Sequence, residues 1–347
     1  MSDTNGIFSP DWEAARARFR AAVRGRPSGA LELPDGHTID WAWTGDPDGR
    51  RVAVFTSGVH GVEGFGGSAA QLDMLAQDRA AHPTLWIHVV NPWGMANLRR
   101  VNAANVDLNR NCLAPDEAYE GADPAYALLD PLLNPKSPPT SFELVYPQLA
   151  LLVARHGWGA LKNALLGGQY THPQGLFHGG ACLQPEPAAL LPFLERELSG
   201  RERVAHIDLH SGLGQFAART LVLESDPDPA RVSRAKAAFG PNVRTWDRSD
   251  AEAYSIRGSL IRELERRVTN CRYDALICEF GTWSGLSLLF ALRAENRLHH
   301  WGAPRLDHWA KVGLKEAFAP DHPAWRGAVV AHARALRTAA DALLATD

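Results

Sequence analysis

The chain has 347 residues, of which 45% are hydrophobic and 22% charged, and its formal net charge is −3. Both signs of charge are mixed along the sequence, which excludes an extended basic face for nucleic acid and a polybasic patch for membranes. The composition is that of an ordinary globular protein, and the length suits one large domain or two modest ones.

The cysteines and the N-terminal residues indicate the cellular compartment of the protein. Cys112, Cys182, Cys271 and Cys278 form no CxxC pair, and a chain of this length needs no disulfides, so we expect reduced thiols. The N-terminal segment lacks the apolar core of a signal peptide, and no apolar run approaches the ~18–20 residues that cross a bilayer. We therefore expect a soluble, cytoplasmic protein without nucleic-acid or membrane partners, and the oligomeric state stays open.

The predicted elements begin with a surface helix, in which Ser9 is the N-cap and Pro10 the first helical residue. Short β-branched runs that end in polar or glycine-rich residues predict strands at 51–58, 84–92, 203–212, 219–226 and 273–281. Helical patterns lie between and after them, at 65–78, 187–199, 229–239, 258–268 and 324–345. Strands that alternate with helices predict an α/β fold of three layers, in which helices cover both faces of a mixed, mostly parallel sheet.

The middle of the chain, at about 112–186, has a different composition. It is rich in proline and acidic residues, and it contains the glycine-flanked loop "GGQYTHPQGLFHGG". We interpret this segment as an elaboration of a single catalytic domain that spans 1–347, with a helix near 145–166. Long structured loops of this kind often form one wall of a binding site.

Polar side chains follow three of the predicted strands. His60 and Glu63 come after the first strand, His210 ends the third, and Glu279 ends the fifth. Active sites of α/β sheets collect at the carboxyl ends of strands, so these four side chains should meet. Two histidines and one carboxylate are a ligand set of catalytic zinc, which keeps a further position for water. Glu279 would then be the general base, and we expect one zinc per chain.

Two further patterns surround this set. The stretch "RRVNAANVDLNRN" concentrates Arg99, Arg100 and Arg110 with four asparagines, which suits the binding of a substrate carboxylate. In the strand 203–212, His210 and Asp208 point to one side by period-two alternation, so Asp208 should support the site from outside the ligand set. Together with the zinc and the base, these patterns predict hydrolysis of an amide next to a free carboxylate.

The motifs "HGVEG", "NVDLNR", "DLHSG" and "EFGT", in this order, resemble the zinc carboxypeptidase superfamily. That superfamily includes metallocarboxypeptidases and deacylases of the aspartoacylase and succinylglutamate desuccinylase type. The wider surroundings are similar to a bacterial branch of unknown function. The resemblance implies a zinc-carboxypeptidase-like fold, with zinc on His60, Glu63 and His210 and with Glu279 as the general base.

The same resemblance implies roles for further residues. Asn109 and Arg110 would bind the substrate carboxylate, and Arg100 would polarise the scissile carbonyl group, with Arg99 as the alternative. A tyrosine lies between the third ligand and the base in the peptidases, and Tyr254 is its candidate here.

Several functions fit these residues. The first hypothesis is a zinc-dependent carboxypeptidase or amidohydrolase that acts on a small carboxylate-bearing amide or a short peptide. Because "DLNR" and "DLH" are more similar to the deacylase branch, an N-acyl amino acid deacylase is the alternative. A non-catalytic binding module is a third hypothesis, which predicts that a ligand or the base is missing, and all four residues are present.

Overall fold

A computed structural model describes residues 4–346, apart from 78–79, 141–144, 225–227 and 246–255. Within these residues, eight strands form one sheet. The strands are β1 (Ser28–Glu32), β2 (Thr38–Thr44), β3 (Arg51–Ser57), β4 (Thr84–His88), β5 (Arg203–Gly212), β6 (Arg219–Leu223), β7 (Val243–Thr245) and β8 (Arg272–Gly281).

The strand order in the sheet is β1-β2-β4-β3-β5-β8-β6-β7. The central strands β4, β3, β5 and β8 run parallel to one another, whereas β2 and β6 on either side of them pair antiparallel. The prediction of a mixed, mostly parallel sheet is therefore confirmed. Because β3, β5 and β8 are adjacent and parallel, their carboxyl ends lie side by side at one edge of the sheet.

Helices cover both faces of this sheet. They are α1 (Trp12–Ala22), α2 (Gly64–Gln77), α3 (Pro92–Ala96), α4 (Tyr126–Leu133), α5 (Val145–His156), α6 (Trp158–Leu166), α7 (Pro185–Leu198), α8 (Pro229–Phe239), α9 (Leu260–Arg267), α10 (Gly285–Trp301), α11 (Trp309–Phe318) and α12 (Pro323–Ala345). On one face α2 packs against α1 and α12, and on the other face α7 packs against α9. None of the helices in the described ranges is long and apolar enough to cross a membrane.

The central strands are buried on both sides. In β3, Ala53 and Phe55 belong to the core under α2 and α12, whereas Val52 and Val54 belong to the core under α7 and α9. A strand with two buried faces favours apolar residues on both sides, which is why β3 contains the continuous apolar run at 52–55.

The edge strand β1 and its neighbour β2 were not predicted. Most of β1 is exposed or half-buried, so its sequence lacks the apolar run that identified the central strands. β7 was also not predicted, because it has three residues and only its first is buried.

Two helix predictions need correction. α1 begins at Trp12 rather than at Pro10, and its N-cap is Asp11 rather than Ser9, because an Asp11 carboxylate oxygen accepts a hydrogen bond from the Ala14 N–H at 2.7 Å. The single helix predicted near 145–166 is two helices. The chain between them turns at Gly157, whose φ of 81° is a left-handed conformation that favours glycine.

Candidate metal centre

The predicted ligands meet at the carboxyl ends of three neighbouring strands. His60 and Glu63 follow β3 on a tight 3-10 turn that spans Gly61–Glu63. His210 lies near the end of β5, and in the register of the sheet its neighbour on β8 is Glu279. In the described part of the chain, His60, Glu63 and His210 are the one group of three histidine, cysteine or acidic side chains arranged to hold a metal ion.

The turn that carries His60 is fixed by close backbone packing. A Cβ atom on Gly61 would lie 2.2 Å from the carbonyl carbon of Gly94, so only glycine fits there. The N–H groups of Gly61 and Val62 donate to the carbonyl oxygens of Arg100 and Arg99, at 3.0 and 2.8 Å. This pairing holds the segment around Arg100 directly against the turn.

The three candidate ligands are buried and present their donor atoms to one another. The distance from His60 Nδ1 to Glu63 Oε1 is 2.9 Å, and His210 Nδ1 lies 3.2 Å from His60 Nδ1 and 3.1 Å from Glu63 Oε2. Donors bound at about 2.1 Å to one tetrahedral ion are separated by about 3.4 Å, so small shifts would suit a zinc ion. The nitrogen and oxygen donors therefore fit zinc in type and in spacing.

A carboxylate orients each imidazole from outside the ligand set. The Nε2 atom of His60 lies 3.0 Å from Asp107 Oδ1, and the Nε2 atom of His210 lies 2.8 Å from Asp208 Oδ2. A proton on each Nε2 would be donated to this carboxylate, and it would leave Nδ1 as the atom directed to the other ligands. Such carboxylate–histidine pairs fix the tautomer of metal-binding histidines.

Asp208 lies where its position in the strand predicted. Its partner Asp107 was not singled out in the sequence, although it stands inside "NVDLNR", between the arginines and the asparagine given roles there. The requirement that each ligand histidine has a carboxylate behind it is the signal that would have identified it.

The electrostatics of the centre favour a positive charge. Burial alone would lower the pKa of His210, but Asp208 and Glu63 outweigh burial and raise this pKa well above its usual value. Burial would raise the pKa of Glu63, but the charges of His60 and Arg100 outweigh it and lower this pKa. Without a metal ion, a proton on His210 therefore balances the buried carboxylates.

Glu279 faces the same cavity without a partner for one of its oxygens. Its Oε2 atom is buried and accepts no hydrogen bond from the described residues. Burial raises the pKa of Glu279 to about 7, although the charge of His210 lowers it. A carboxylate with this pKa can both accept and return a proton near neutrality.

The structure separates the two adjacent arginines. Arg99 is fully buried away from the ligands, where its Nε atom donates to Glu295 Oε1 at 2.9 Å. Arg100 donates to Glu63 Oε1 at 2.7 Å and to Asp107 Oδ2 at 3.2 Å, and its Nη2 atom lies 2.8 Å from His60 Nε2. Arg100 is therefore the arginine beside the candidate metal centre.

The proposed carboxylate binders lie next to Arg100 on the same cavity. Asn109 and Arg110 belong to a short 3-10 turn that is capped by Asp107, and both residues are buried. Arg110 donates from Nε and Nη2 to the carbonyl oxygen of Leu166 and from Nη1 to that of Asn109. Tyr254 lies outside the described residues.

A cavity of about 720 Å³ extends from the centre. The part of the cavity around the candidate metal centre is its polar end, and the residues that line it are His60, Arg100, Asn109, Arg110, His210 and Glu279. Lys162 and Arg244 also line the cavity. The sequence patterns gave no signal for Arg244, which lies on the short strand β7. The remaining wall is mostly apolar, and much of it comes from helices α4–α6 of the middle segment.

A family model described as "Protein of unknown function (DUF2817)" matches residues 8–332. No curated protein matches the sequence significantly. Among solved structures, the thrombin activatable fibrinolysis inhibitor is similar in fold at 12% identity. The match covers 91% of this chain and 79% of that chain, with a TM-score of 0.51. The family match confirms the predicted similarity to a branch of unknown function, and the match to this solved structure shows a shared fold.

Two other solved structures match with lower TM-scores. The murein-tripeptide amidase MpaA from Escherichia coli O157 is 17% identical, with 80% of this chain and 95% of that chain covered and a TM-score of 0.41. A metallo-carboxypeptidase from Burkholderia cenocepacia is 12% identical, with 93% and 69% covered and a TM-score of 0.45.

Proposed function

The chain belongs to the DUF2817 family, and we propose that it is a zinc-dependent hydrolase of an amide or peptide bond next to a free carboxylate. One observation carries this proposal. Two imidazoles anchored by carboxylates converge with Glu63 on one point, and they do so beside the buried carboxylate of Glu279, which has an unpartnered oxygen. A binding module would not need an unpartnered buried carboxylate, which is costly to keep.

His60, Glu63 and His210 would hold the zinc ion. When bound, the ion supplies Lewis acidity, which polarises a carbonyl group and lowers the pKa of a bound water toward ~7. Asp107 and Asp208 keep the two histidines in the tautomer that this role requires.

Glu279 moves the proton in this proposal. Its carboxylate accepts a proton from the water whose oxygen attacks the carbonyl carbon. As the C–N bond breaks, the carboxyl group returns the proton to the departing nitrogen, so that an acid and an amine are formed. General bases of this kind contribute about 10²–10⁴-fold to the rate.

We assign Arg100 to the carbonyl oxygen of the substrate. If Nδ1 of His60 binds a metal ion, its proton lies on Nε2 and is donated to Asp107, so Arg100 Nη2 cannot also donate there. The guanidinium group is then positioned beside the ligands to stabilise the negative charge that develops on the oxygen.

Asn109 and Arg110 are the proposed anchors of the substrate carboxylate. Asn109 accepts a hydrogen bond from the Leu260 N–H through Oδ1, which directs its amide nitrogen elsewhere. The Arg110 guanidinium is fixed by the carbonyl of Leu166, so its charge is held in place on the cavity wall. A rigid anchor fixes the distance from the carboxylate to the bond that is cleaved.

The alternative is that the amide belongs to an N-acyl amino acid rather than to a peptide. The apolar wall of the cavity favours this alternative, because it offers few polar groups to a peptide backbone.

The test is hydrolysis of a panel of N-acyl amino acids and short peptides by the wild-type protein, by Glu279→Gln and by Glu13→Gln. Glu13 is an exposed glutamate on α1 and serves as the matched control. We expect Glu279→Gln to lose at least about 10²-fold in kcat while it keeps its metal, and Glu13→Gln to behave as the wild type. Equal activity of all three proteins would refute the assigned role of Glu279.

A further inference from the structure

The helices α4–α6 and α10 contribute mostly leucine side chains to the cavity, together with Trp158 and Lys162. We define the leucine arm by residues on the middle-segment helices and on α10: Leu129, Leu149, Leu161, Leu165, Leu288, Leu289 and Leu292. Each of them is at most 7% exposed, and all belong to one hydrophobic core cluster. The arm is therefore a pre-formed space within the core rather than a groove on the surface.

The proposed chemistry does not need this arm. The ligands, the base and the arginines lie at the polar end of the cavity, and Phe177 packs against Arg100 and Arg110 at 5.5 and 5.8 Å. Phe177 and the leucines are members of the same core cluster. The cavity thus combines the charged groups of the candidate metal centre with apolar side chains from the helices.

Exposed apolar side chains lie where the cavity reaches the surface. Trp158, Leu213 and Leu286 line the cavity and are 49%, 39% and 39% exposed. An apolar ligand would meet these residues before it enters the arm.

The chemistry of the arm selects a hydrocarbon chain over a peptide. A peptide that extended among the leucines would bury N–H and C=O groups without partners, at a cost of a few kcal/mol each. A hydrocarbon chain brings no polar groups, and each methylene that leaves water adds to binding.

The volume of the cavity is in keeping with such a ligand. At about 30 Å³ for each water-sized group, 720 Å³ has room for roughly 24 non-hydrogen atoms. An amino acid linked to a chain of about ten to fourteen carbons is of this size.

Building on the hydrolase function above, we propose that the substrates are N-acyl amino acids with a medium or long hydrocarbon acyl chain. The carboxylate binds at Arg110 and Asn109, and the acyl chain lies in the leucine arm. Water adds its oxygen to the acyl carbon as the C–N bond breaks, the nitrogen receives one proton of that water, and a fatty acid and a free amino acid leave. Water is the only co-reactant, and no oxidant is required.

A homologous series tests this assignment. Hydrolysis of N-acetyl-, N-hexanoyl-, N-decanoyl- and N-tetradecanoylglycine is compared, because glycine adds no side chain of its own. We expect kcat/KM to rise about threefold to fourfold for each added methylene until the arm is filled. A flat or falling series, or a preference for peptides with an apolar C-terminal residue, would overturn the proposal and leave the hydrolase function standing.

A pair of variants locates the effect in the arm. Leu149 and Leu151 lie on the same helix, but Leu149 lines the cavity whereas Leu151 is 50% exposed. We expect Leu149→Trp to lower the ratio of the tetradecanoyl to the acetyl kcat/KM at least tenfold, because indole fills the arm. Leu151→Trp should leave this ratio unchanged. An unchanged ratio in both variants contradicts the proposal.

Binding measured without turnover separates this inference from the hydrolase function. Calorimetry follows the binding of N-tetradecanoylglycine and N-acetylglycine to the Glu279→Gln protein, with and without Leu149→Trp. Tight binding of the long-chain compound that is weakened by Leu149→Trp supports the arm even if no amide is hydrolysed. Equal binding of the two compounds overturns the arm even if hydrolysis occurs.

Discussion

The metal centre and the leucine arm are two ends of one cavity, and they are built in different ways. The centre comes from residues at the ends of adjacent parallel strands, where backbone hydrogen bonds fix every position. The arm comes from α4–α6 and α10, whose side chains meet by helix packing. We infer from this difference that the sheet sets the reaction, whereas the middle segment and α10 would set the choice of substrate.

The largest expected effect concerns the polar end alone. Arg100→Ala should lower kcat by about 10²–10³-fold for short and long substrates alike, because about 2.7–4 kcal/mol of charge stabilisation is lost. Steady-state kinetics with N-acetyl- and N-decanoylglycine check this expectation. A loss of kcat confined to the long substrate would mean that Arg100 acts in substrate selection. That result would contradict the assignment of catalysis to the polar end and of substrate selection to the leucine arm.

The carboxylates behind the histidines should affect the metal more than the substrate. Asp208→Asn removes the negative charge behind the His210 N–H and should weaken zinc binding about 10–100-fold. Competition with a chelator measures the change, and the more exposed Asp46→Asn is the control. Unchanged zinc affinity, with changed chain-length preference, would contradict the separation of the two ends.

The pH dependence follows from Glu279. It must be ionised to accept a proton, and burial raises its pKa to about 7, so kcat/KM should fall as the pH drops below this pKa. A bound cation lowers the pKa of Glu279. The fall of kcat/KM on the acid side of the pH profile should therefore lie at or below about pH 7. This acid-side fall of kcat/KM should occur at the same pH for the acetyl and decanoyl substrates. An activity that rises as the pH falls below 7 would contradict the role of Glu279.

The smallest expected effects are changes in stability, which show how tightly each of the two regions is packed. Gly61→Ala would push a Cβ atom into the backbone of Gly94 and should destabilise the protein by about 1–3 kcal/mol. Gly159→Ala in α6 meets no atom within 4 Å and should stabilise the protein by up to about 1 kcal/mol. Thermal unfolding measures both changes. Equal effects would mean that the ligand turn is no tighter than the added segment.

The same contrast explains how much the sequence could predict. His60, Glu63, His210 and Glu279 were found because each follows a buried strand, and parallel strands bring their ends together. Arg99 and Arg100 could not be told apart, since the turn that buries one and exposes the other to the ligands depends on contacts with distant residues such as Glu295.

The leucine arm could not be predicted. Its residues lie in separate helices. An apolar helix face has the same sequence pattern whether it packs into the core or lines a cavity. The break at Gly157 also redirects the end of the middle segment, and no periodic pattern indicates that direction. Asp107 was missed for a simpler reason, because its partner His60 is distant in sequence.

The most direct test of the central claim is the metal content of the purified protein by elemental analysis. The wild type is compared with His60→Ala and with His156→Ala, an exposed histidine on α5 that serves as the control. We predict about one zinc per chain in the wild type and in His156→Ala, and almost none in His60→Ala. A folded wild-type protein that contains no metal and takes up no added zinc would contradict the account.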